Sequence, residues 1–301
     1  PWVTPQAYDN AKEFFDTGIT WSNSLNVAQM LEKSSYSISL GNTHQDGIIS
    51  STGMDRYNVK VSADTKLTNN WSSGFTANYI TTSIDKAVTS GNGLLRTVYA
   101  APPSYDLAGI PSHVDGNQYT QNSFRGSFDN AYWAMDNNKF TEDTNRFFGN
   151  VYASYQTDFG TTNHKLNAKY MVGVDAYTTH YVDSYGYGSN TGGGRGQIEN
   201  YGWTNATYNS LLTINYDWHI NEDWGLNAVL GNEIIQSNRK KYYEYGTNYN
   251  FPGWNHINNA TTQQTEEETW KNRTVGFFGN VSASYKNMLY LTLTGRQDYV
   301  S

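Results

Sequence analysis

Cysteine is absent from the sequence, proline is scarce with 6 residues, and charged residues make up only 16% of the 301 positions. Without cysteine the chain forms no disulfide bonds, which suits an oxidising compartment without identifying one. No run of about 18 apolar residues occurs, so a transmembrane helix is excluded. The net charge of −7 argues against a nucleic-acid partner, because binding to phosphates needs an excess of positive charge.

Aromatic residues are abundant in a sequence that is otherwise polar. They make up 15% of the chain, with 25 tyrosines and 9 tryptophans, and yet the mean hydropathy is −0.69. In a soluble domain, aromatic residues usually accompany a core rich in leucine, isoleucine and valine. A membrane β-barrel combines a thin lipid-facing band with a polar interior and long wet loops, so the composition favours a barrel.

The strongest pattern along the chain is an alternation of apolar and polar residues with a period of two. One face of each strand is predicted to meet lipid, at positions that include Phe75, Val151, Val172, Leu212, Val281 and Leu291. The other face is predicted to line the barrel interior, at positions that include Ser72, Thr76, Lys165, Lys169, Asn215 and Thr292. No segment shows comparable helical periodicity, so the chain is predicted to be all-β, as an antiparallel transmembrane β-barrel segment.

The alternation predicts about ten strands, near 18–30, 34–43, 56–67, 71–83, 146–157, 164–182, 206–220, 224–237, 273–285 and 289–298. Short turns connect the strands at one end of the sheet, whereas long segments connect them at the other, chiefly 84–145, 183–205 and 238–272. Outer-membrane barrels have short periplasmic turns and long extracellular loops. The fold of a soluble sandwich does not require short connections at one end and long connections at the other.

Large aromatic residues lie at the short-turn ends of the predicted strands, always on the apolar face: Trp71, Tyr155, Trp218, Trp224 and Tyr285. Amphipathic rings belong at the level of the lipid headgroups, where one edge is dry and the other is wet. Core-edge aromatics of a soluble β-protein would also explain the rings, but they would leave the sorting of loop lengths unexplained.

The orientation of the strands predicts that the chain is a middle portion of a larger barrel. If the short turns are periplasmic, the first and last strands both have their free ends outside, whereas single-chain bacterial barrels begin and end in the periplasm. Ten strands left open would also expose two bare sheet edges to lipid. We therefore expect residues 1–17 to be an extracellular lead-in, and residues 18–301 to be part of a barrel.

Several short motifs give the chain a resemblance to a known family. They are Phe14-Phe15-Asp16-Thr17-Gly18, Ser35-Tyr36-Ser37, Gly47-Ile48-Ile49, Arg56-Tyr57-Asn58 and the final Arg296-Gln297-Asp298. In this order they resemble the SusC/RagA-like TonB-dependent outer-membrane transporters, in which "FF-x-TG" and "R-x-D" recur. The resemblance spans nearly the whole chain, and it implies a 22-stranded barrel with an N-terminal plug and a TonB box, for which these residues offer no counterpart.

The resemblance implies a transporter in the outer membrane of a Gram-negative bacterium and no enzymatic activity. It would import a large nutrient, an oligosaccharide or a peptide, with energy from the TonB complex and with a SusD-like surface lipoprotein as its lid. Membrane lipid is the remaining expected partner, and no cofactor is expected. An adhesive or structural barrel that binds ligands without transport is the alternative, and a soluble glycan-binding β-protein is a third possibility.

No catalytic constellation stands out, and the six histidines lack the spacing of metal ligands. The segment 84–145 is the largest predicted loop, and rigid amphipathic rings within such loops suit contacts with sugars, peptides or a lid protein. The candidates for such contacts are Tyr119, Phe124, Tyr132, Trp133, Tyr187, Trp203 and Trp254. Packing of these rings against one another is the competing interpretation.

Overall fold

The computed structural model describes residues 6–88, 93–161 and 163–301, and the part of the predicted lead-in at 1–5 lies outside the described residues. Ten long strands are present: β1 (Thr20–Met30), β2 (Ser34–Asp46), β3 (Gly53–Lys66), β4 (Trp71–Lys86), β7 (Lys139–Thr157), β8 (His164–Tyr185), β9 (Gln197–His219), β10 (Trp224–Tyr249), β11 (Ala260–Tyr285) and β12 (Leu289–Val300). The remaining elements lie near the long-loop end: α1 (Asn10–Phe14), α2 (Leu94–Ala100), β5 (His113–Val114), β6 (Asn117–Gln121), α3 (Ala131–Asn137) and a 3-10 turn at Ile257–Asn259.

The ten long strands form one antiparallel sheet in sequence order, in which each strand pairs with the next along the chain. The sheet is open, since β1 and β12 each pair with a single neighbour among the described residues. The short β5–β6 hairpin forms a separate two-stranded sheet. The prediction of ten barrel strands is therefore confirmed, with every predicted strand present.

The two faces of the sheet differ as the alternation predicts. Phe75, Val151 and Val281 lie on what we call the outer face, and their side chains are 44%, 53% and 44% exposed. An ordinary soluble sheet would bury such residues, because burial of apolar area is the main force that stabilises a core. The other face, here called the inner face, carries mainly polar and charged residues. No helix in the described ranges is long and apolar enough to span a membrane.

Aromatic pairs mark the short-turn end of the outer face. Trp71 and Tyr155 are register partners with ring centroids 5.0 Å apart, and Trp224 and Tyr285 repeat the arrangement at 4.7 Å. The tight turns that bring such partners together include Lys286-Asn287, both with positive φ. Two successive left-handed residues form a type I′ turn, whose twist matches that of the flanking strands.

The strands extend further at the long-loop end than the sequence predicts. β7 begins at Lys139 instead of 146, β9 begins at Gln197 instead of 206, and β10 continues to Tyr249 instead of ending at 237. The connecting segments at this end are therefore 87–138, 186–196 and 250–259. In the added parts neither face carries a continuous aliphatic stripe, so the apolar alternation that identifies a strand in lipid is lost.

The described residues of the 87–138 insertion pack with α1 and the turn after β2 into a small domain that we call the cap. Its buried core consists of Phe14, Ile49, Leu94, Val98, Leu107, Ala131, Trp133 and Ala134. The helices α2 and α3 contribute to this core, although each has only seven residues. Sequence periodicity did not predict them, because two turns of helix are too short to show a clear apolar stripe.

A buried carboxylate joins the cap to the 186–196 connection. Asp129 is 9% exposed and accepts hydrogen bonds from Gln121 Nε2, Ser189 Oγ and the backbone N–H of Asn190, each at 2.6 Å. Three donors compensate the cost of burying a charge in this position. The cap and this connection are thereby held in one fixed arrangement above the sheet.

Candidate substrate-binding wall

The upper inner face of β8, β9 and β10 carries a row of tyrosines above the apolar band. Tyr181, Tyr201 and Tyr243 are register partners on three adjacent strands. A tilted strand crosses the hydrocarbon with about nine to eleven residues, and Tyr201 lies well beyond that distance from the short-turn end. The outer face at this level carries His180 and Tyr242 instead of aliphatic residues, as expected outside the hydrocarbon.

The rings of this row contact one another directly. Tyr181 and Tyr201 are stacked with centroids 4.8 Å apart and an interplanar angle of 7°, and Tyr243 continues the row at 6.4 Å from Tyr201. Trp203 lies 5.7 Å from Tyr181, on the same face. Offset aromatic stacking stabilises such rows and restrains the rings in fixed orientations. The resulting aromatic surface, defined by these four rings, is called the wall.

Carboxylates flank the tyrosines of the wall. The hydroxyl of Tyr201 donates a hydrogen bond of 3.0 Å to Asp183, and the hydroxyls of Tyr181 and Tyr243 lie beside Glu142 and Glu199.

For each of these tyrosines, burial and then the charge of the adjacent carboxylate raise the pKa of the hydroxyl above its ordinary value of 10.0. The phenols are therefore neutral hydrogen-bond donors throughout the physiological range.

Two cations complete the wall. The ammonium of Lys86 lies 4.5 Å from the ring centroid of Tyr181 and 3.5 Å from a carboxylate oxygen of Glu142. The guanidinium of Arg239 lies 5.3 Å from the ring of Trp203 and 5.5 Å from that of Trp270. Cation–π contacts of this kind hold long side chains against the aromatic surface.

A cavity of about 330 Å³ lies next to the wall, between the cap and the upper ends of β4 and β7. Lys86, Phe140 and Tyr185 are among its lining residues, so the cavity and the wall share Lys86. Phe140 packs edge-on against Tyr185 at 5.2 Å. The site thus offers flat apolar rings, hydrogen-bond acceptors and a recess, which suits reversible binding of a polar polymer.

The seven predicted contact residues have different positions in the structure, and three of them lie in the core of the cap or at its border. Trp133 is fully buried, and its indole N–H donates a hydrogen bond of 2.9 Å to the carbonyl oxygen of Gln118. Tyr132 packs edge-on against Phe14 at 5.3 Å, and Phe124 lies 5.8 Å from Phe128. These partners make Trp133 part of the cap core and leave Tyr132 and Phe124 half-buried at its border.

The other four candidates lie at or near the wall and at the tip of the β10–β11 hairpin. Trp203 was predicted in a loop, but it lies within β9 on the inner face, as part of the wall. Tyr187 packs around Tyr249, and Tyr119 lies in β6 with its hydroxyl close to Gly253.

Trp254 is 44% exposed and is stacked between Phe251 at 5.8 Å and His256 at 5.0 Å. It therefore belongs to an exposed three-ring stack at the tip of the hairpin.

Sequence reasoning missed Tyr181, Tyr201 and Tyr243 as a group, because they are far apart along the chain. Their positions could be found by counting back from the short turns, since residues of the same face on adjacent strands meet at fixed register. Such counting works only if the strands are known to extend beyond the apolar band. The polar sequence above the band does not indicate that the strands continue there.

No protein-family model matches the sequence. Two curated relatives from Formosa agariphila align with 98% of the chain: TonB-dependent receptor P3 at 23% identity and TonB-dependent receptor P26 at 24% identity. The chain spans only 29% and 30% of the length of these relatives.

Solved structures support the same assignment at the level of the fold. The RagAB peptide importer in its closed-closed state superposes on 98% of the chain with a TM-score of 0.79, at 16% identity, and the chain covers 33% of that structure. The chain has the barrel fold of a SusC/RagA-like TonB-dependent receptor. The ferric-catecholate import receptor Fiu from E. coli matches more distantly, with a TM-score of 0.53 at 9% identity. A receptor of this fold is located in the outer membrane of a Gram-negative bacterium, so the apolar outer face meets lipid.

Proposed function

We propose that the receptor imports a large polar nutrient, an oligosaccharide or a peptide, across the outer membrane with energy delivered by TonB. The observation that carries the proposal is the wall: the stacked rings of Tyr181 and Tyr201, with the tilted ring of Tyr243 beside them, lie next to carboxylates on the inner face, above the membrane. Rigid amphipathic rings bind a polymer through many weak contacts. Such contacts hold cargo and still allow its release.

The named functions of the similar proteins support import over enzymatic activity. The Formosa agariphila relatives are named as TonB-dependent receptors, and the RagAB structures are described as a peptide importer. We further propose that a SusD-like surface lipoprotein covers the long-loop end. The exposed stack of Phe251, Trp254 and His256 is a candidate contact for this lid or for cargo, because it projects from the tip of the longest hairpin.

The experiment compares two adjacent tyrosines on opposite faces of β10. Tyr243→Ala removes a ring of the wall, whereas Tyr242→Ala removes a ring from the outer face and serves as the matched control. Uptake of labelled oligosaccharide or peptide mixtures by cells that express each receptor is measured with and without TonB. We expect Tyr243→Ala to weaken cargo binding by about tenfold, the equivalent of one lost contact of about 1.4 kcal/mol, and Tyr242→Ala to retain it.

The same measurement separates import from adhesion. An importer accumulates label inside the cell only when TonB is present, whereas an adhesive barrel binds label at the surface with or without TonB. Equal uptake by both variants would contradict the role of the wall, and binding without accumulation would contradict import.

A further inference from the structure

Three cations lie together on the outer face of β10 and β11: Lys240, Lys271 and Arg273. Lys271 and Arg273 are two residues apart on β11, so their side chains project from the same face. Lys240 pairs with Thr269, next to Lys271 on that face, which makes it a diagonal neighbour of Lys271. We call these three residues the basic patch.

The basic patch lies immediately above the lipid-facing band. On β10 the band runs from Trp224 at the short-turn end to Ile234, about eleven positions, which is the span a tilted strand uses to cross the hydrocarbon. After Ile234, the next residue of β10 on the outer face is Gln236, which pairs with Arg273 of β11. Arg273 is therefore at the level of the lipid headgroups on the long-loop side of the membrane.

The charges of the patch are largely unneutralised by the protein. The guanidinium of Arg273 donates hydrogen bonds from Nε, at 3.0 Å, and from Nη2 to Oε1 of Gln236, a neutral partner. Lys240 forms an ion pair of 2.7 Å with Glu267, and both side chains are more than half exposed. Across the described ranges, neither Lys271 nor Arg273 forms an ion pair with an acidic side chain. The patch thus keeps a net positive charge at the membrane surface.

In the described part of the sheet, β9, β8 and β7 carry no cation in the register row of Lys240. The register row that contains Lys240 runs sideways across β9, β8 and β7. Its residues on these strands are Thr204, Thr178 and Asn145, all uncharged. A general preference for lysine and arginine at the headgroup level would place cations on these strands as well. A concentration on β10 and β11 indicates a ligand at one position around the barrel.

We propose that the basic patch binds the phosphate groups of a phosphorylated glycolipid in the outer leaflet of the outer membrane. Guanidinium groups bind phosphate in a bidentate manner, and lysines add point charges. Clusters of basic residues at a membrane surface attract anionic headgroups over about a Debye length. Cargo inside the barrel has no access to the patch, because it lies on the outer face. A lipid, by contrast, is presented to the patch at the correct depth.

The test uses the full receptor in detergent and measures its thermal unfolding midpoint with added lipid A. The variant Lys240→Gln/Lys271→Gln/Arg273→Gln removes the patch, and Lys241→Gln, on the inner face beside Lys240, is the matched control. We expect phosphorylated lipid A to raise the midpoint of the native receptor and of the control, because a ligand that binds only the folded state stabilises it. The triple variant should lose this shift.

Two further arms identify the chemistry of the ligand. Dephosphorylated lipid A and inorganic phosphate at equal concentration should give no shift, since the proposal requires both the phosphate and its presentation by a lipid. The proposal is overturned by an equal shift in the triple variant, by no shift in the native receptor, or by an equal shift with either of these probes. If the triple variant does not fold, Lys271→Gln and Arg273→Gln are measured singly, and each should reduce the shift.

Discussion

The hydroxyl of Tyr152 on β7 donates a hydrogen bond of 2.6 Å to the carboxylate of Asp64 on β3, although β4 lies between the two strands. The residue of β4 in the same register row is Gly74. A glycine leaves room for the tyrosine ring to lie across the intervening strand. The inner face is therefore stabilised by a side-chain contact that crosses an intervening strand, in addition to the backbone ladder.

Substitution of Gly74 by valine should disrupt this contact. A Cβ atom at Gly74 would lie 2.7 Å from the ring of Tyr152 and would also clash with Asp64. We expect the full receptor to lose about 1–3 kcal/mol of stability, as for other overpacked sites. The measurement is the temperature at which the folded barrel unfolds in detergent. Gly173→Val is the matched control, because a Cβ on this glycine of the interior strand β8 would make only ordinary contacts of 3.4 Å or more, and equal losses would contradict the packing argument.

Charge on the outer face should cost more than charge on the inner face. Leu212 and Thr213 are consecutive in β9 and project from opposite faces. Leu212→Arg should destabilise the barrel by about 2–4 kcal/mol, because the guanidinium would enter the hydrocarbon. Thr213→Arg should cost far less, since the inner face is wet. Folding and membrane insertion of both variants are measured in parallel, and equal behaviour would show that the two faces are not distinct.

Replacement by alanine should affect the stability of the cap at Trp133 but not at Trp254. Trp133→Ala should destabilise the cap by about 3–5 kcal/mol, because it empties a fully buried site and frees a hydrogen-bond acceptor. Hydrogen exchange within 87–138 reports this loss. Trp254→Ala should leave the exchange unchanged, since the ring is 44% exposed. Unchanged protection in Trp133→Ala would contradict the role of this ring in the core.

Much of the fold within the membrane was predictable from the sequence, because lipid imposes one rule on every strand. Leu212 and Val281 face lipid and must be apolar, whereas the residues next to them in sequence face the interior and can be polar. The alternation therefore shows where a strand lies and which of its residues face lipid. Above the membrane this rule ends. Arg239, Lys240 and Lys241 stand in the middle of β10, yet the sequence there resembles a charged loop.

The candidate site was less predictable, since it depends on register and on packing in the cap. Trp133 and Trp254 look alike in the sequence, and only the structure shows that one is buried and the other exposed. The predicted loop 84–145 is long and rich in aromatic residues, but it contains α2, the β5–β6 hairpin, α3 and the first residues of β7. Deletion of that segment would remove part of the cap core, so single substitutions are the better test.

The most direct test of the central claim is cysteine labelling of adjacent faces in the full receptor in intact outer membranes. Single cysteines replace outer-face residues and inner-face residues, with Val151 and Leu291 in the first set and Thr76 and Thr292 in the second. A one-residue change of register would exchange the two sets. We predict that a membrane-confined reagent labels only the first set and that a small water-soluble reagent labels only the second. Equal labelling of both sets by either reagent would contradict the account.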